Sequence, residues 1–532
     1  MKHSAITFLS NKCKDRWFLS LLVVFVIAAC IRLYALPLYI SIGGDDARDI
    51  AIAKESIRLH SLPRFGSFSS AGPFVFGPLF YWVLILSYII LPFTLFAPWI
   101  LTILASLFTV IIMMVIGKKL GGTGLGITLG VLTAFSPQLI TRSVVVGQHT
   151  YVGVFTALVI LFLILLWQKP SKLYSFLLGV MIGVAINMHY QALNLFVVIP
   201  FVFFIPRVAF TKKIIFVALL VIGIVIPSVP LLTWDARQQF ANMRNILDYF
   251  LIAQYRIYVP NSWKIFLFSF LPNFWSYVSG GWYGLGLTAM AIAGIGALLH
   301  VKKNALRLTT CLYIIVVVFL LINRYYKGER SEGYLLYVTP FILIITGIGI
   351  LEISSFIAGF FRKKPISRYI QYGMITFFLV VFMTGSLSRT LAPLKGHHAL
   401  SDIKKTVTAL KNARPGKTFA LYGQHFNNYN QTTAMSAFMA QEHLEDTLGI
   451  PIGMFCPGAY KKNKFPVITS TVENCKIDDL SKLNNSALKK DGWVLISQQS
   501  LYDDLISHWE TNRLTSTFSF VDFVKSRLTH SQ

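Results

Sequence analysis

Apolar runs approaching the ~20 residues needed to cross a bilayer core recur along most of this chain, and they constrain it more than any other feature. Phe18–Ala35, Phe155–Trp167, Ile214–Leu232 and Tyr369–Gly385 are examples. A soluble chain carries roughly 25% charged residues. Here 13% of 532 residues are charged, 55% are hydrophobic, and the mean hydropathy is +0.63. Most of the surface must therefore face hydrocarbon, and the spans are too many for an anchored soluble enzyme. The first run exceeds a signal-peptide core and has no small-residue cleavage site after it, so it is read as a retained span.

The charge pattern predicts a topology. Lys2, Lys12, Lys14 and Arg16 precede the first run. Short connections carry Lys118/Lys119, Lys169/Lys172, Arg207/Lys212/Lys213, Lys302/Lys303/Arg307 and Arg362/Lys363/Lys364/Arg368. Positive-inside patterning makes all of these cytoplasmic. It also accounts for the formal net charge of +26 without nucleic acid, whose binding would need a basic stripe on a soluble surface. Connections 37–78, 141–150, 187–191, 235–264 and 324–332, and everything after 388, then fall outside. Pro92 and Pro98 interrupt 79–117, so 79–91 reads as an interfacial or re-entrant segment before one true span. About 11–13 spans result by the hydropathy rule.

The expected fold is mainly α: a polytopic helical bundle over 1–387, with first external loop 37–78, and an extracytoplasmic soluble α/β domain over 388–532. In that tail Lys417–Gln424 and Gly492–Ser497 read as buried strands, and Thr432–Leu444 and Tyr502–Glu510 as amphipathic helices. Cys456 and Cys475 are its only cysteines and form the disulfide candidate, since an external compartment permits one. The expected location is the bacterial plasma membrane, N-terminus inside.

Of 22 acidic residues, 12 lie after residue 388, and four of the remaining ten, Asp45, Asp46, Asp49 and Glu55, crowd the first external loop. Carboxylates near a bilayer are costly and mark working sites. Asp45 or Asp46 can cap a helix running to about Arg58, ahead of Pro63. Ile50 and Ile57 would lie on the membrane surface, with Asp45, Arg48, Asp49 and Lys54 opposite. Asp49 and Lys54 are read as a solvated face. Two carboxylates and an arginine at a helix N-terminus suit a hydroxyl, a phosphate or a metal. No CxxC or HExxH spacing occurs, and a divalent metal ion is permitted by the paired carboxylates without being required.

This segment resembles the first external loop of the GT-C fold glycosyltransferases, in the branch of protein O-mannosyltransferases and the lipid A aminoarabinose transferase. Asp45-Asp46-Ala47-Arg48 matches that family's Asp-Glu-x-Arg, with Asp for Glu, and Gly77-Pro78-Leu79-Phe80-Tyr81-Trp82 matches its aromatic element. Ser136-Pro137 through Arg142, Gly183–Tyr190, and Tyr334-Leu335-Leu336-Tyr337 before Pro340 are similar to later family segments. The resemblance covers roughly 20–350, outside the tail. One departure is Phe76, where relatives often place the Lys or His that contacts the carrier phosphate; Arg48, Arg64, Lys327 and Arg330 are the local substitutes.

The resemblance implies an inverting sugar transfer from a polyprenyl-phosphate-linked donor to a hydroxyl-bearing lipid, glycan or protein acceptor at the bilayer. It makes Asp45 the general base, with Asp46 beside it. It makes Arg48 and either Lys327 or Arg330 phosphate ligands, and His189, Tyr190 and Tyr81 substrate contacts; His149 ranks below them. A lipid-linked glycan transporter or flippase, an oligosaccharide ligase of related fold, and a silent scaffold remain alternatives. The gathering of acids in one loop, and spans almost free of them, speak against the transporter.

Overall fold

The computed structural model describes residues 15–40, 44–69, 72–92, 96–252, 262–304, 308–326, 332–361, 364–391, 452–455 and 476–479. The chain forms two compact units: residues 1–39 with 56–394, and residues 40–55 with 395–532.

The first unit is a helical bundle. Its helices are α1 (Arg16–Tyr39), then, beyond the loop helix α2 (Gly44–Arg58), α3 (Leu79–Ile90), α4 (Ala97–Ala134), α5 (Pro137–Ser143), α6 (Val152–Gln168) and α7 (Lys172–Met188). A 3₁₀ segment, Tyr190–Phe204, leads to α8 (Phe210–Val225), α9 (Val229–Arg237) and α10 (Ala241–Leu251). The bundle closes with α11 (Leu271–Val278), α12 (Tyr283–Asn304), α13 (Leu308–Tyr325), α14 (Thr339–Ala358) and α15 (Lys364–Thr390). Among the described residues eight helical stretches are long and apolar enough to cross a membrane, and three apolar helices are shorter, one of them α3 with 12 residues. At 1.5 Å per residue α3 covers only about 18 Å of a ~30 Å hydrocarbon core. Exposed Leu19, Val23 and Val26 on α1, and Ile314, Val317 and Leu321 on α13, show apolar faces turned outward, as a lipid-immersed bundle requires.

Helix α14 is the core. Phe341, Ile342, Leu343, Ile344 and Ile345 are all buried, and it packs against α4, α6, α12, α13 and α15. Close approach depends on glycine. Gly296 of α12 faces Gly349 of α14, where an added Cβ would lie 2.3 Å from the partner Cα. The long stretch α4 is broken at Gly121 and Gly122, the latter at φ 78°, where L side chains are strained. The two halves then run back against each other, with a Cβ on Gly117 falling 2.7 Å from Gly126 Cα.

Two buried polar groups lock the bundle. Arg32 on α1 is wholly buried and donates to Ser106 Oγ (2.8 Å), Ala28 O (3.2 Å), Ala134 O (3.1 Å) and Thr133 O (3.5 Å). It thus satisfies carbonyls at the C-terminus of α4, the negative end of the helix dipole. His300 on α12 joins Glu352 of α14 at 2.8 Å and Thr309 of α13 at 2.5 Å.

In the second unit α2 carries the loop carboxylates, and strands β1 (Ile452–Phe455) and β2 (Lys476–Asp479) pair antiparallel, Phe455 opposite Lys476. The strands and helices expected at 417–424, 432–444, 492–497 and 502–510 lie outside the described residues, as do Cys456 and Cys475.

Candidate functional site

The helix expected in the first external loop is α2, with Asp45 and Asp46 in its first turn. Arg48 bridges two carboxylates, Nη1 to Asp45 Oδ1 and Nη2 to Asp49 Oδ1, both at 2.9 Å. The Asp45 side chain is 86% exposed and that of Asp49 8%. Asp49 therefore does not belong to a solvated face, as the sequence suggested; Lys54 is exposed, but Asp49 is buried, its charge met by the guanidinium. Asp45 is held from one side by Arg48 and open on the other.

In the first unit the matched aromatic element begins in a hairpin. Gly66 N donates to Phe76 O (2.8 Å), Phe76 N to Ser67 O (2.9 Å) and Ser69 N to Phe74 O (2.9 Å). Asn242 of α10 receives Val75 N at 2.8 Å, and Tyr190 donates its hydroxyl to Val75 O at 2.7 Å. Asn242 itself is set by Asp235, whose carboxylate caps α10 by accepting Asn242 N (2.8 Å) and Met243 N (3.0 Å). Gly77 lies against Asn187, whose carbonyl accepts its N–H at 3.2 Å; a Cβ there would overlap the Asn187 amide.

The hairpin presents Phe76 to an aromatic stack. Its ring packs on Tyr190 (5.1 Å between centroids) and on His189 (5.0 Å), and His189 packs on Tyr334 (4.8 Å), which meets His149 edge-on (6.2 Å). His189, just past α7, is buried in this stack, and burial lowers its imidazole from 6.5 to about 4. It is thus neutral near pH 7, a hydrogen-bonding and stacking group instead of a cation. Tyr190 and Tyr81 are also buried, Tyr190 as a clamp on the hairpin and Tyr81 within α3.

A cation stands at the other end of the stack. Arg142, at the end of α5, pairs with Glu332 (Nη2 to Oε1, 3.1 Å) and reaches His149 Nε2 (3.1 Å) through Nη1. Its guanidinium lies over Gly333, where a Cβ would sit 2.9 Å away. Its Nε is buried and meets no acceptor among the described residues. Gln138, one turn earlier, donates to Glu332 O and accepts from Thr339, both at 2.5 Å, so α5 and the 332–338 turn form one support. Beyond it Thr141 bonds Tyr277 (2.5 Å), over whose ring Arg389 lies at 5.1 Å.

Sequence reasoning placed Arg142 in a family-like segment but not in the site, because nothing local shows that Glu332 and His149 converge on it. Lys327 and Arg330 lie outside the described residues. Among the described residues no three His, Cys, Asp or Glu side chains gather as a metal centre would need.

Residues 73–234 match the dolichyl-phosphate-mannose-protein mannosyltransferase family. The fold is similar to ArnT from Cupriavidus metallidurans, solved with undecaprenyl phosphate bound, with TM-score 0.54 and 12% identity over 83% of this chain and 94% of that one. The apo form of the same protein gives TM-score 0.54 and 12% identity over 83% and 93%. Archaeal oligosaccharyltransferase AglB from Archaeoglobus fulgidus, in complex with an inhibitory peptide and a dolichol-phosphate, matches with TM-score 0.48 and 13% identity over 76% of this chain and 59% of that one. No curated protein sequence matches at a significant level.

Proposed function

We propose that this chain, an integral-membrane protein of the GT-C fold, transfers a sugar from a polyprenyl-phosphate carrier to an acceptor hydroxyl on the outer face of a bacterial plasma membrane. The observation that carries the reading is Arg142. It is a largely buried guanidinium, paired with Glu332 and next to the aromatic stack, whose Nε meets no acceptor among the described residues. One guanidinium donor is thus left for an anion beside the Glu332 pair, and guanidinium geometry suits a phosphate. Arg142 takes the part that Phe76 cannot play.

In the proposed step the acceptor oxygen bonds to the anomeric carbon on the face opposite the phosphate. The carbon–oxygen bond to phosphate breaks and its electron pair leaves with the polyprenyl phosphate, so the anomeric configuration inverts. The acceptor's proton passes to Asp45, with Asp46 beside it and Arg48 orienting the carboxylate. Such general-base assistance contributes roughly 10²–10⁴-fold. Arg142 stabilises the charge arriving on the phosphate, an effect worth about 10²–10³-fold for one removed donor. Tyr334, the half-buried ring of the stack, contacts the sugar with His189 packed behind it; Lys327 or Arg330 is a second phosphate ligand.

The test is transfer from labelled polyprenyl-phosphate sugars in proteoliposomes, with and without chelator. Arg142→Ala is expected to lower kcat about 10²–10³-fold, Arg142→Lys to recover part of it, and Asp45→Asn to abolish turnover while leaving donor binding intact. Full activity of Arg142→Ala would remove the phosphate assignment, and full activity of Asp45→Asn the base. No transfer by the parent from any donor would favour the transporter reading. Block transfer of an oligosaccharide in place of one sugar would favour the ligase.

A further inference from the structure

Between the 3₁₀ segment, α10 and α13 lies a cavity of about 430 Å³, in the range of small-molecule sites. Tyr190 lines it, the same ring that stacks on Phe76, so the cavity adjoins the aromatic end of the candidate site. No charged side chain lines it among the described residues. The described lining thus offers hydrogen-bonding and apolar groups, which suit a neutral occupant.

One wall is apolar, formed by Phe250, Val318 and Leu321. Leu321 shares the outward face of α13 with Ile314 and Val317, so this wall opens sideways onto the lipid-facing surface. The other wall holds three carboxamides, Gln191, Asn194 and Asn323. Asn194 and Asn323 both spend an N–H on Tyr337 Oη, at 2.6 Å each, which leaves their carbonyl oxygens as acceptors. Gln191 Oε1 is buried and receives no hydrogen bond from any described residue. A hydrocarbon guest would seal these acceptors from water without satisfying them, which is unfavourable. A guest with several hydroxyl groups would satisfy them.

We propose that this cavity is the acceptor subsite, and that it takes the neutral, hydroxyl-bearing head of an amphiphile whose tail stays in the bilayer. The inference rests on the transferase reading and names its acceptor class: an uncharged polyol lipid entering laterally between α10 and α13. The carboxamide wall orients the head, and the apolar wall carries the start of the tail.

The experiment measures saturable binding of labelled n-octyl β-glucoside, and separately of farnesyl phosphate, to the full chain in nanodiscs. Parent, Asn323→Leu and the cavity-filling Leu321→Trp are compared; Leu321 faces outward, so the larger ring is compatible with folding. The glucoside is expected to bind the parent saturably, to weaken at least tenfold in both variants, and to leave farnesyl phosphate binding unchanged. In transfer assays the same variants should raise KM for a glucoside acceptor more than they lower kcat. Unchanged glucoside binding in both variants overturns the proposal. So does loss of farnesyl phosphate binding in Leu321→Trp, which would make the cavity a prenyl-chain site. Because binding is read without turnover, a parent that binds the glucoside but transfers nothing sinks the transferase reading alone. A parent that transfers while both variants keep full binding sinks only the acceptor subsite.

Discussion

Single residues in this bundle are tuned by what burial does to polar groups. Arg32 is a cation in a membrane span with no carboxylate among its hydrogen-bond partners; its four acceptors are a serine hydroxyl and backbone carbonyls. Arg32→Met keeps the side-chain bulk but strands the carbonyls at the end of α4. It is expected to cost about 1–3 kcal/mol, read as a lower thermal midpoint in detergent with the parent's oligomeric profile retained. His189 shows the complementary effect. With its folded value near 4 and an unfolded value of 6.5, the native state refuses a proton that the unfolded chain accepts between those limits. Its stabilising contribution is complete above pH 6.5 and declines as pH falls towards 4, by up to about 3 kcal/mol. Thermal midpoints should accordingly fall between pH 6.5 and 4 in the parent and fall less in His189→Phe. Equal slopes in the two proteins would remove His189 as the cause. In the same way the transfer rate should show no inflection near pH 6.5 that His189→Gln abolishes.

Elements reach their positions through small residues that admit close backbone contact. Gly179 and Gly183, four apart on α7, meet Leu220 and Ile224 of α8; an added Cβ would fall 2.0 Å and 2.4 Å from the carbonyl oxygens of those residues. Gly223 of α8 reciprocates against Phe176 O at 2.4 Å. This is the small-residue packing by which membrane helices approach without a hydrophobic drive between them. Because α7 ends at Met188, its seat on α8 sets where Asn187 meets Gly77 and where His189 enters the stack. Gly183→Ala is expected to lower stability by about 1–3 kcal/mol and to reduce transfer along with it. Gly373→Ala on α15, where a Cβ meets nothing within 4 Å, should leave both unchanged. The α7–α8 contact was not legible in hydropathy, which scores glycine by polarity and not by the space it leaves. Helix α2, by contrast, was legible in both its extent and its acidic first turn, since capping residues and Pro63 are local signals. What its sequence pattern misassigned was Asp49, because burial of a carboxylate depends on which face the helix turns inward.

For the molecule as a whole, redox chemistry offers a direct check on sidedness. Strand β1 ends one residue before Cys456 and β2 begins one residue after Cys475. A Cys456–Cys475 disulfide would close a loop between paired strands, contributing about 3 kcal/mol in the chain-entropy model. Mass spectrometry of non-reduced protein from membranes should find that linked peptide, and Cys30 as a free thiol. A reduced pair would argue against an oxidising compartment for the tail.

Spanning character, the basic connections and the loop carboxylates were set by the sequence itself, since hydropathy, clustered charge and helix caps are properties of contiguous residues. The tertiary structure alone decided that Arg142 stands beside the aromatic stack, paired with Glu332, which lies 190 positions away. It alone decided that Asn194 and Asn323 share Tyr337 and turn a carboxamide wall into a cavity. Those meetings depend on how helices rotate and approach one another. Packing of small and aromatic side chains governs that rotation, and a one-dimensional pattern does not encode it.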